Sequence, residues 1–494
     1  MEQDAAAEHW LLPSKEAKRI DPPPHSITFV SHSTVDHLPT LVPLMTAWDG
    51  PVSVAVFLAS DKWEVAQHAA RVIGTLKHCS PLIKSTVSFH LVIPQDETRG
   101  SDGRSSKSPG WCWDQHQPLL LHAELSAEAE YRVLNGSLQL PRPWTVASAS
   151  APNAGAVWNC EPRVYADLEQ LANQPPQSAA NLDSNTAPRA TSAGLNGPPH
   201  PTRKEKTDDR RSARANPNYA RAHAYPNNLL RNVARKHAST PFSLVADIDL
   251  IPRPRTLQQD FQQLVAAGAL NPDANGGLVA FVVPAFEVKA PRLPNPPSRL
   301  PEQYTSAMVT EPAGPASVLQ AKQAFNKTLQ PFYYDLCWKC QRHTQYNKWL
   351  GGTVESRRRS KQLGERYGDD GAFFMDDHDP VFGSLEEIYH ARWHEPWEPF
   401  YIAETETAPL FDERFRQYGF NRISQVCHMH MAGFDFVVLR GSFLVHQTQK
   451  RVGEFHGSKA EEQDRNRLIF RKLKEELKRE FPSERRCNEA GYHV

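Results

Sequence analysis

The feature that most constrains the fold is an alternation of short apolar segments and helical patterns in the first hundred residues. Residues 26–30, 52–58 and 87–93 are rich in β-branched, aromatic or other apolar side chains, which is typical of buried strands. Residues 35–48 carry apolar side chains at helical spacing, and residues 61–77 also have a helical pattern. Strand, helix, strand, helix, strand predicts an α/β domain with a mostly parallel central sheet.

Further elements are predicted in the second half of the chain. The patterns indicate a helix over 229–236, strands over 242–246, 278–284 and 436–439, and an amphipathic helix over 460–481. In that last helix Ile469, Leu473 and Leu477 share one face. Its opposite face is dense in Lys and Glu, which favours a solvated surface.

Proline-rich segments interrupt this pattern. The chain has 41 prolines, and residues 172–216 combine Pro, Ser and Asn with almost no large apolar side chain, which predicts disorder. We therefore expect one elaborated α/β domain with insertions. Its predicted parts are a disordered N-terminal segment (1–24), a first part of the domain (25–171), a low-complexity disordered insertion (172–216), a second part with the acidic motif described below (217–457), and a C-terminal amphipathic helix and tail (458–494).

The charge balance and the absence of long apolar runs limit the classes of partner. Lys and Arg total 56, and so do Asp and Glu, giving a formal net charge of zero. Nucleic-acid-binding domains are usually basic, so no nucleic-acid partner is expected. No segment reaches the roughly 18–20 continuous apolar residues that span a bilayer. Residues 1–24 are also mostly polar, so the sequence predicts neither a transmembrane segment nor a signal peptide.

The seven cysteines are too few and too scattered to predict a disulfide scaffold, and their odd number leaves at least one outside any pairing within the chain. Cys337 and Cys340 have half of a zinc-finger spacing. No second pair follows, so a zinc site is not expected. A local disulfide and two reduced thiols remain as alternatives.

Two carboxylates follow the predicted strand over residues 242–246. Asp247 and Asp249 are two residues apart, so their side chains emerge on the same side of an extended chain. They also come at the carboxyl end of a strand, where open α/β sheets bind ligands. Two such oxygen donors can hold a divalent cation that neutralises a diphosphate leaving group. This predicts chemistry on a nucleotide-sugar, whereas a turn with a helix cap is the alternative.

Histidines late in the chain are further candidates for the same site. His446 ends an apolar segment, and its neutral imidazole could complete an octahedral site begun by Asp249; the alternative is a structural histidine. His428 and His430 would share one face if they belonged to a strand. We interpret that second pair, with Cys427, as part of the core or scaffold.

Several blocks of residues occur together, in this order, in one known family. They are Tyr225 to Asn232 (YPNNLLRN), Asp247 to Pro252 (DIDLIP), Glu398 to Tyr401 (EPFY), Phe411 to Phe415 (FDERF), Tyr418 to Arg422 (YGFNR) and Phe443 to His446 (FLVH). Together they resemble glycosyltransferase family 49, the family of β-1,4-glucuronyltransferase 1 and of the C-terminal domain of LARGE-type xylosyl/glucuronyltransferases. The resemblance covers most of residues 25–93 and 217–450.

This resemblance implies a fold and a reaction. The fold would be of the GT-A type, formed as a single elaborated domain. The reaction would be inverting transfer of glucuronic acid from UDP-glucuronate to a hydroxyl of a glycan or glycoprotein acceptor, with a manganese ion. Members are usually anchored in Golgi membranes, while this chain shows no anchor, so a Golgi and a cytoplasmic location both stay open.

The resemblance also implies roles for individual residues. Asp249 would be the main metal ligand and His446 a later one, while Asp247 would bridge the metal or the ribose. The helix that carries Asn228 and Arg231 would face the nucleotide.

Two further roles concern the donor carboxylate and the base. Arg422 would pair with the donor carboxylate, because a guanidinium fork suits a carboxylate better than an ammonium does. Inversion requires a base for the acceptor hydroxyl, and Asp412 and Glu413 are the candidates, with Glu398 after them. A surface network of these acids with neighbouring arginines is the alternative.

Two rival functions use the same residues. A catalytically inactive relative could bind a sugar nucleotide or a glycan without turning it over. A metal-dependent phosphohydrolase could use the acidic pair, but such enzymes generally need more Asp and His ligands.

Overall fold

The structure is a computed structural model of the chain. It describes residues 25–59, 63–94, 131–134 (backbone only), 158–160, 162–174, 224–269, 278–289, 314–350, 388–447, 459–482 and 487. The predicted N-terminal segment and nearly all of the predicted insertion at 172–216 lie outside these residues, so the division into parts stays a prediction.

Within the described residues the strands form two sheets, and the first of these has nine strands. Its spatial order is β10-β12-β7-β11-β5-β1-β2-β3-β4. The strands are β1 (Ile27–Thr34), β2 (Val52–Phe57), β3 (Val87–Pro94), β4 (Tyr131–Leu134), β5 (Phe242–Val245), β7 (Val279–Val283), β10 (Ile388–Ala391), β11 (Phe400–Glu404) and β12 (Asp435–Leu439).

The second sheet has four strands in the order β6-β13-β8-β9. These are β6 (Leu250–Arg253), β8 (Ala285–Val288), β9 (Leu329–Pro331) and β13 (Phe443–His446). Strand β13 is antiparallel to β6 and parallel to β8. Because β6 begins five residues after β5 ends, the chain crosses from one sheet to the other within a single short link.

Helices cover both sheets. They are α1 (Leu41–Ala47), α2 (Trp63–Cys79), α3 (Pro81–Thr86), α4 (Pro162–Asn173), α5 (Asn227–Lys236), α6 (Leu257–Leu264), α7 (Val318–Ala324), α8 (Tyr334–Cys337), α9 (Tyr346–Trp349), α10 (Asn421–Ala432) and α11 (Lys459–Glu480). Among the described residues, none of the helices is long and apolar enough to cross a membrane.

The predicted α/β alternation is confirmed, but the large sheet is mixed rather than mostly parallel. Strands β5, β1, β2 and β3 run parallel to one another. Strand β11 lies antiparallel between β5 and β7, and β10 is antiparallel to β12. The strand–helix–strand pattern that predicts parallel pairing covers only the first part of the chain. The strands from the second half of the chain do not follow this pattern. An antiparallel pair of strands needs no crossover helix, so the pattern does not predict such pairs.

His428 and His430 lie on a helix and not on a strand. Both belong to α10. The buried side chains of Ile423, Val426 and Cys427 follow the spacing of three and four that places them on one helical face. The helix ends at Gly433, whose φ of 103° is in the left-handed region that favours glycine.

Three disulfides form within the described residues, so the expectation that the cysteines build no disulfide framework is also wrong. Cys79 pairs with Cys160, Cys337 with Cys340, and Cys427 with Cys487. The first and third pairs are 81 and 60 residues apart in sequence. Cysteine spacing alone does not reveal such long-range connectivity. The seventh cysteine, Cys112, lies outside the described residues.

Candidate functional site

A cavity of about 480 Å³ lies where β1 and β5 end. Its lining brings together the end of β1, the link between β5 and β6, the start of α10 and the loop that precedes β11. Both carboxylates of the acidic motif belong to this lining. The cavity therefore occupies the carboxyl edge of the central parallel strands, where the sequence predicts ligand binding.

Asp249 lines the cavity and contacts His446, which does not itself belong to the lining. The antiparallel register of β6 and β13 pairs Leu250 with His446, which brings the imidazole beside the acidic motif. His446 Nε2 lies 2.7 Å from Asp249 Oδ2. The histidine side chain is 3% exposed, and its ring packs 5.4 Å from that of Phe332. The second sheet thus holds two residues that are 197 apart in sequence close enough to act as ligands of one metal ion.

Asp247 faces two arginines instead of the histidine. Its Oδ1 accepts a hydrogen bond from Arg422 Nη2 at 3.1 Å, and Arg231 Nη2 lies 3.6 Å away. Burial by itself would raise the pKa of Asp247, but the guanidiniums of Arg422 and Arg231 outweigh it and hold the pKa below its ordinary value. Asp247 is therefore ionised in the folded protein.

Arg422 is fixed on three sides. Besides Asp247, it donates to the carbonyl oxygen of Val245 at 3.3 Å, and its guanidinium lies 4.0 Å from the centre of the Phe400 ring. The side chain lines the cavity while it makes these contacts. Its predicted role toward a donor carboxylate is thus combined with an ion pair to Asp247.

Asn228 is placed differently from its predicted role. Its amide nitrogen donates to the carbonyl oxygen of Asp412 at 2.8 Å, and its Oδ1 accepts from Arg231 at 2.9 Å. Asn228 is fully buried and does not belong to the cavity lining, whereas Asn227 and Arg231 do. Helix α5 thus contributes Asn227 and Arg231 to the cavity lining, and Asn228 holds the Arg231 side chain by a hydrogen bond.

Neither Asp412 nor Glu413 lines the cavity. Asp412 forms a bidentate ion pair with Arg414, whose guanidinium also contacts Glu476 on α11. Glu413 accepts a hydrogen bond from Asn232 at 2.9 Å. Both acids therefore belong to the network that fastens this segment to α5 and α11.

Glu398 is the acid that the structure places in the cavity beside the acidic motif. Burial raises the pKa of its carboxyl, Arg422 and Arg231 lower it, and Asp247 raises it, with a result of about 7. A carboxyl that titrates near neutrality can accept a proton during a reaction and release it afterwards.

His32 is a site residue that the sequence interpretation missed. It follows the apolar start of β1, lines the cavity, and its Nδ1 lies 2.8 Å from the hydroxyl oxygen of Tyr225. Burial, with help from Arg231, lowers its pKa to about 3, so its imidazole is neutral. The polar run from Ser31 to Thr34, at the carboxyl end of a predicted strand, could have indicated it.

The protein ligands available to a metal are few. Among the described residues, no group of three or more His, Cys, Asp or Glu side chains is arranged to hold an ion. The closest arrangement at the predicted site is the Asp249–His446 pair. A metal bound here would therefore take further ligands from substrate or water.

Comparison with known proteins identifies the family. The profile of the family described as "Glycosyl-transferase for dystroglycan" matches residues 26–140 and 176–482. The chain belongs to this family. Every residue of the cavity lining lies within the matched ranges.

Individual relatives agree with this assignment. The human β-1,4-glucuronyltransferase 1 is 30% identical over 466 residues, which cover 94% of this chain and 78% of the relative. The zebrafish (Danio rerio) protein of the same name is 30% identical over 468 residues, covering 94% and 77%. The human xylosyl- and glucuronyltransferase LARGE1 is 24% identical over 263 residues, covering 53% and 27%. The predicted enzyme class is confirmed: this member of the family is a glycosyltransferase.

Proposed function

We propose that this family member is an inverting, metal-dependent glucuronyltransferase that uses UDP-glucuronate and a glycan hydroxyl. The observation that carries the proposal is the contact of His446 with Asp249, which lines a cavity together with Asp247 and Glu398. The names of the glucuronyltransferase relatives support the choice of donor sugar.

The residues present fit a metal that is shared with the donor. Asp249 and His446 would hold Mn²⁺, because carboxylate and imidazole both suit this ion. Ions that act on phosphates are commonly held by one or two carboxylates, with the substrate supplying other ligands. Bound there, the ion would supply positive charge to the diphosphate as it leaves. Asp247, held by two arginines, would be better placed to orient the ribose than to be a main metal ligand.

Two buried arginines supply charge for an anionic donor. Arg231 and Arg422 both face the carboxylate of Asp247, so two guanidiniums lie together at this wall of the cavity. The charge-assisted hydrogen bonds that guanidiniums make to carboxylate or phosphate are among the strongest in proteins. UDP-glucuronate offers both groups, which favours this donor over a neutral UDP-sugar.

Glu398 is our candidate for the base. In the inverting reaction, the acceptor oxygen bonds to the anomeric carbon as the bond to UDP breaks, and the acceptor proton must go to the protein. Glu398 lines the cavity, and a pKa of about 7 matches the pH at which such a base works. We therefore propose Glu398 for the role that the sequence interpretation gave first to Asp412 and Glu413.

The disulfides support a secretory location. Three disulfides in one chain are typical of proteins that fold in an oxidising compartment such as the endoplasmic reticulum lumen. The proposed compartment is the Golgi, as expected from the resemblance.

A donor panel tests the proposed function. The full chain would be incubated with Mn²⁺, a mixture of simple β-glycosides as acceptors, and one of UDP-glucuronate, UDP-xylose, UDP-glucose or UDP-N-acetylglucosamine. We expect UDP release to be fastest with UDP-glucuronate, because Arg231 and Arg422 offer two guanidiniums to a donor that carries an additional carboxylate. Preference for a neutral donor would contradict the donor assignment, and UDP binding without release from any donor would indicate an inactive relative.

A further inference from the structure

A short loop closed by the Cys337–Cys340 disulfide lies directly against Glu398. The backbone N–H of Glu398 donates a hydrogen bond to the backbone carbonyl oxygen of Cys340 at 3.0 Å. In the opposite direction, the side-chain amide of Gln341 donates to the carbonyl oxygen of Glu398 at 3.3 Å. The backbone of Glu398 is thus held on both sides by neighbouring residues of one loop.

This loop is itself part of the cavity wall. Cys337, Cys340 and Gln341 all line the cavity, and Gln341 is 2% exposed. The loop continues from α8, whose last residue, Cys337, donates its amide to the carbonyl oxygen of Tyr333 at 2.8 Å. A change in the loop would therefore reach the cavity and Glu398 together.

This disulfide differs from the other two in the sequence separation of its cysteines. Its cysteines are 3 residues apart, against 81 and 60 for the other pairs. A cross-link stabilises the whole fold mainly by restricting the unfolded chain, and the effect grows with the length of the loop that it closes. A disulfide that closes so small a loop adds little to global stability in this way, so its main effect is local.

We propose that the Cys337–Cys340 disulfide and Gln341 are positioning elements for Glu398, and that sugar transfer requires this disulfide to be intact. The inference rests on the proposed function, in which Glu398 accepts the acceptor proton. The bonded loop keeps Glu398 inside the cavity wall; the opened loop frees the Glu398 backbone and admits water to its carboxyl.

The test compares three variants of the full chain: Cys337→Ser/Cys340→Ser, Gln341→Ala, and the matched control Cys427→Ala/Cys487→Ala. The control removes a disulfide whose cysteines do not line the cavity. For each variant we would measure Tm, KM for UDP-glucuronate, kcat, and the pH dependence of kcat. All kinetic measurements would be made at one temperature, well below the lowest Tm.

The loop variants should lower kcat at least about tenfold with little change in donor KM, because the metal and diphosphate ligands lie on other elements. Glu398 faces Arg422, Arg231 and Asp247, and burial is the largest influence on its pKa. Exposure to water would lower that pKa, so the acid limb of the kcat profile should move to lower pH. The control variant should have a lower Tm than the Cys337→Ser/Cys340→Ser variant. Its acid limb in the pH profile of kcat should stay at the wild-type position.

A loss of active protein would reduce kcat without moving the pH limb, so the profile separates positioning from general destabilisation. Wild-type kcat and an unmoved limb in both loop variants would overturn the inference. If Glu398→Gln is inactive while the loop variants are fully active, only the positioning role fails. If Glu398→Gln is itself fully active, the proposed base fails.

Discussion

Asp249→Asn should reduce kcat/KM for UDP-glucuronate by about a thousandfold, or ~4 kcal/mol of transition-state stabilisation at about 1.4 kcal/mol per tenfold. The substitution keeps the size of the side chain and a hydrogen-bonding partner for His446, but it removes the negative charge that attracts a divalent cation. Charge that develops on the diphosphate would then lose most of its neutralisation. UDP release at a series of Mn²⁺ concentrations measures the effect.

The matched control for this variant is Asp464→Asn. Asp464 is an exposed residue of α11 that pairs with Arg467 at 2.7 Å, and exposed pairs of this kind contribute little. The control should keep wild-type turnover at every Mn²⁺ concentration. Very high Mn²⁺ should restore part of the activity of Asp249→Asn. Equal turnover of this variant and the wild type at all concentrations would exclude Asp249 as a metal ligand.

Glu398→Gln should reduce kcat by about 10²–10⁴-fold, the range that a positioned general base contributes. The amide has nearly the same shape and keeps the backbone contacts of Glu398 with Cys340 and Gln341, so the fold should be unchanged. Donor KM should change little, because the proton is transferred only during the reaction. Steady-state kinetics with UDP-glucuronate measures both constants.

The pH profile gives a second measure of the same residue. A base works when it is deprotonated, so wild-type kcat should rise with pH through the pKa of Glu398, about 7. This limb should be missing in Glu398→Gln. Asp412→Asn serves as the control, since Asp412 pairs with Arg414 away from the cavity, and it should keep the limb. If Asp412→Asn loses the limb and Glu398→Gln keeps it, the base is Asp412.

Local features of the fold could be predicted because each depends on residues that are close together in the sequence. The apolar runs that form β1, β2 and β5 are buried, and buried strands need such runs. The spacing of Leu473 and Leu477 likewise indicated the face by which α11 packs, and both are buried. The position of Asp247 and Asp249 at the end of β5 follows from the same local pattern.

Contacts between distant residues could not be predicted in this way. Arg422 and Asp247 are 175 residues apart, and they meet because the fold places the start of α10 at the end of β5. Three candidate acids lie in short blocks that combine acidic and aromatic residues: Glu398, Asp412 and Glu413. The sequence does not indicate which of their carboxyl groups faces the cavity. The structure separates them, because the loop closed by the Cys337–Cys340 disulfide holds Glu398 at the cavity, whereas Asp412 pairs with Arg414 outside the cavity lining.

We propose that the cavity lined by Asp249, which contacts His446, transfers a sugar from a UDP-linked donor with the help of a divalent metal. The most direct measurement is UDP release from UDP-glucuronate by the wild-type chain in Mn²⁺, then in EDTA, and again after Mn²⁺ is restored. We predict release in Mn²⁺, loss of release in EDTA, and recovery on restoration. Release that is unchanged in EDTA, or no release from any UDP-sugar in Mn²⁺, would contradict this claim.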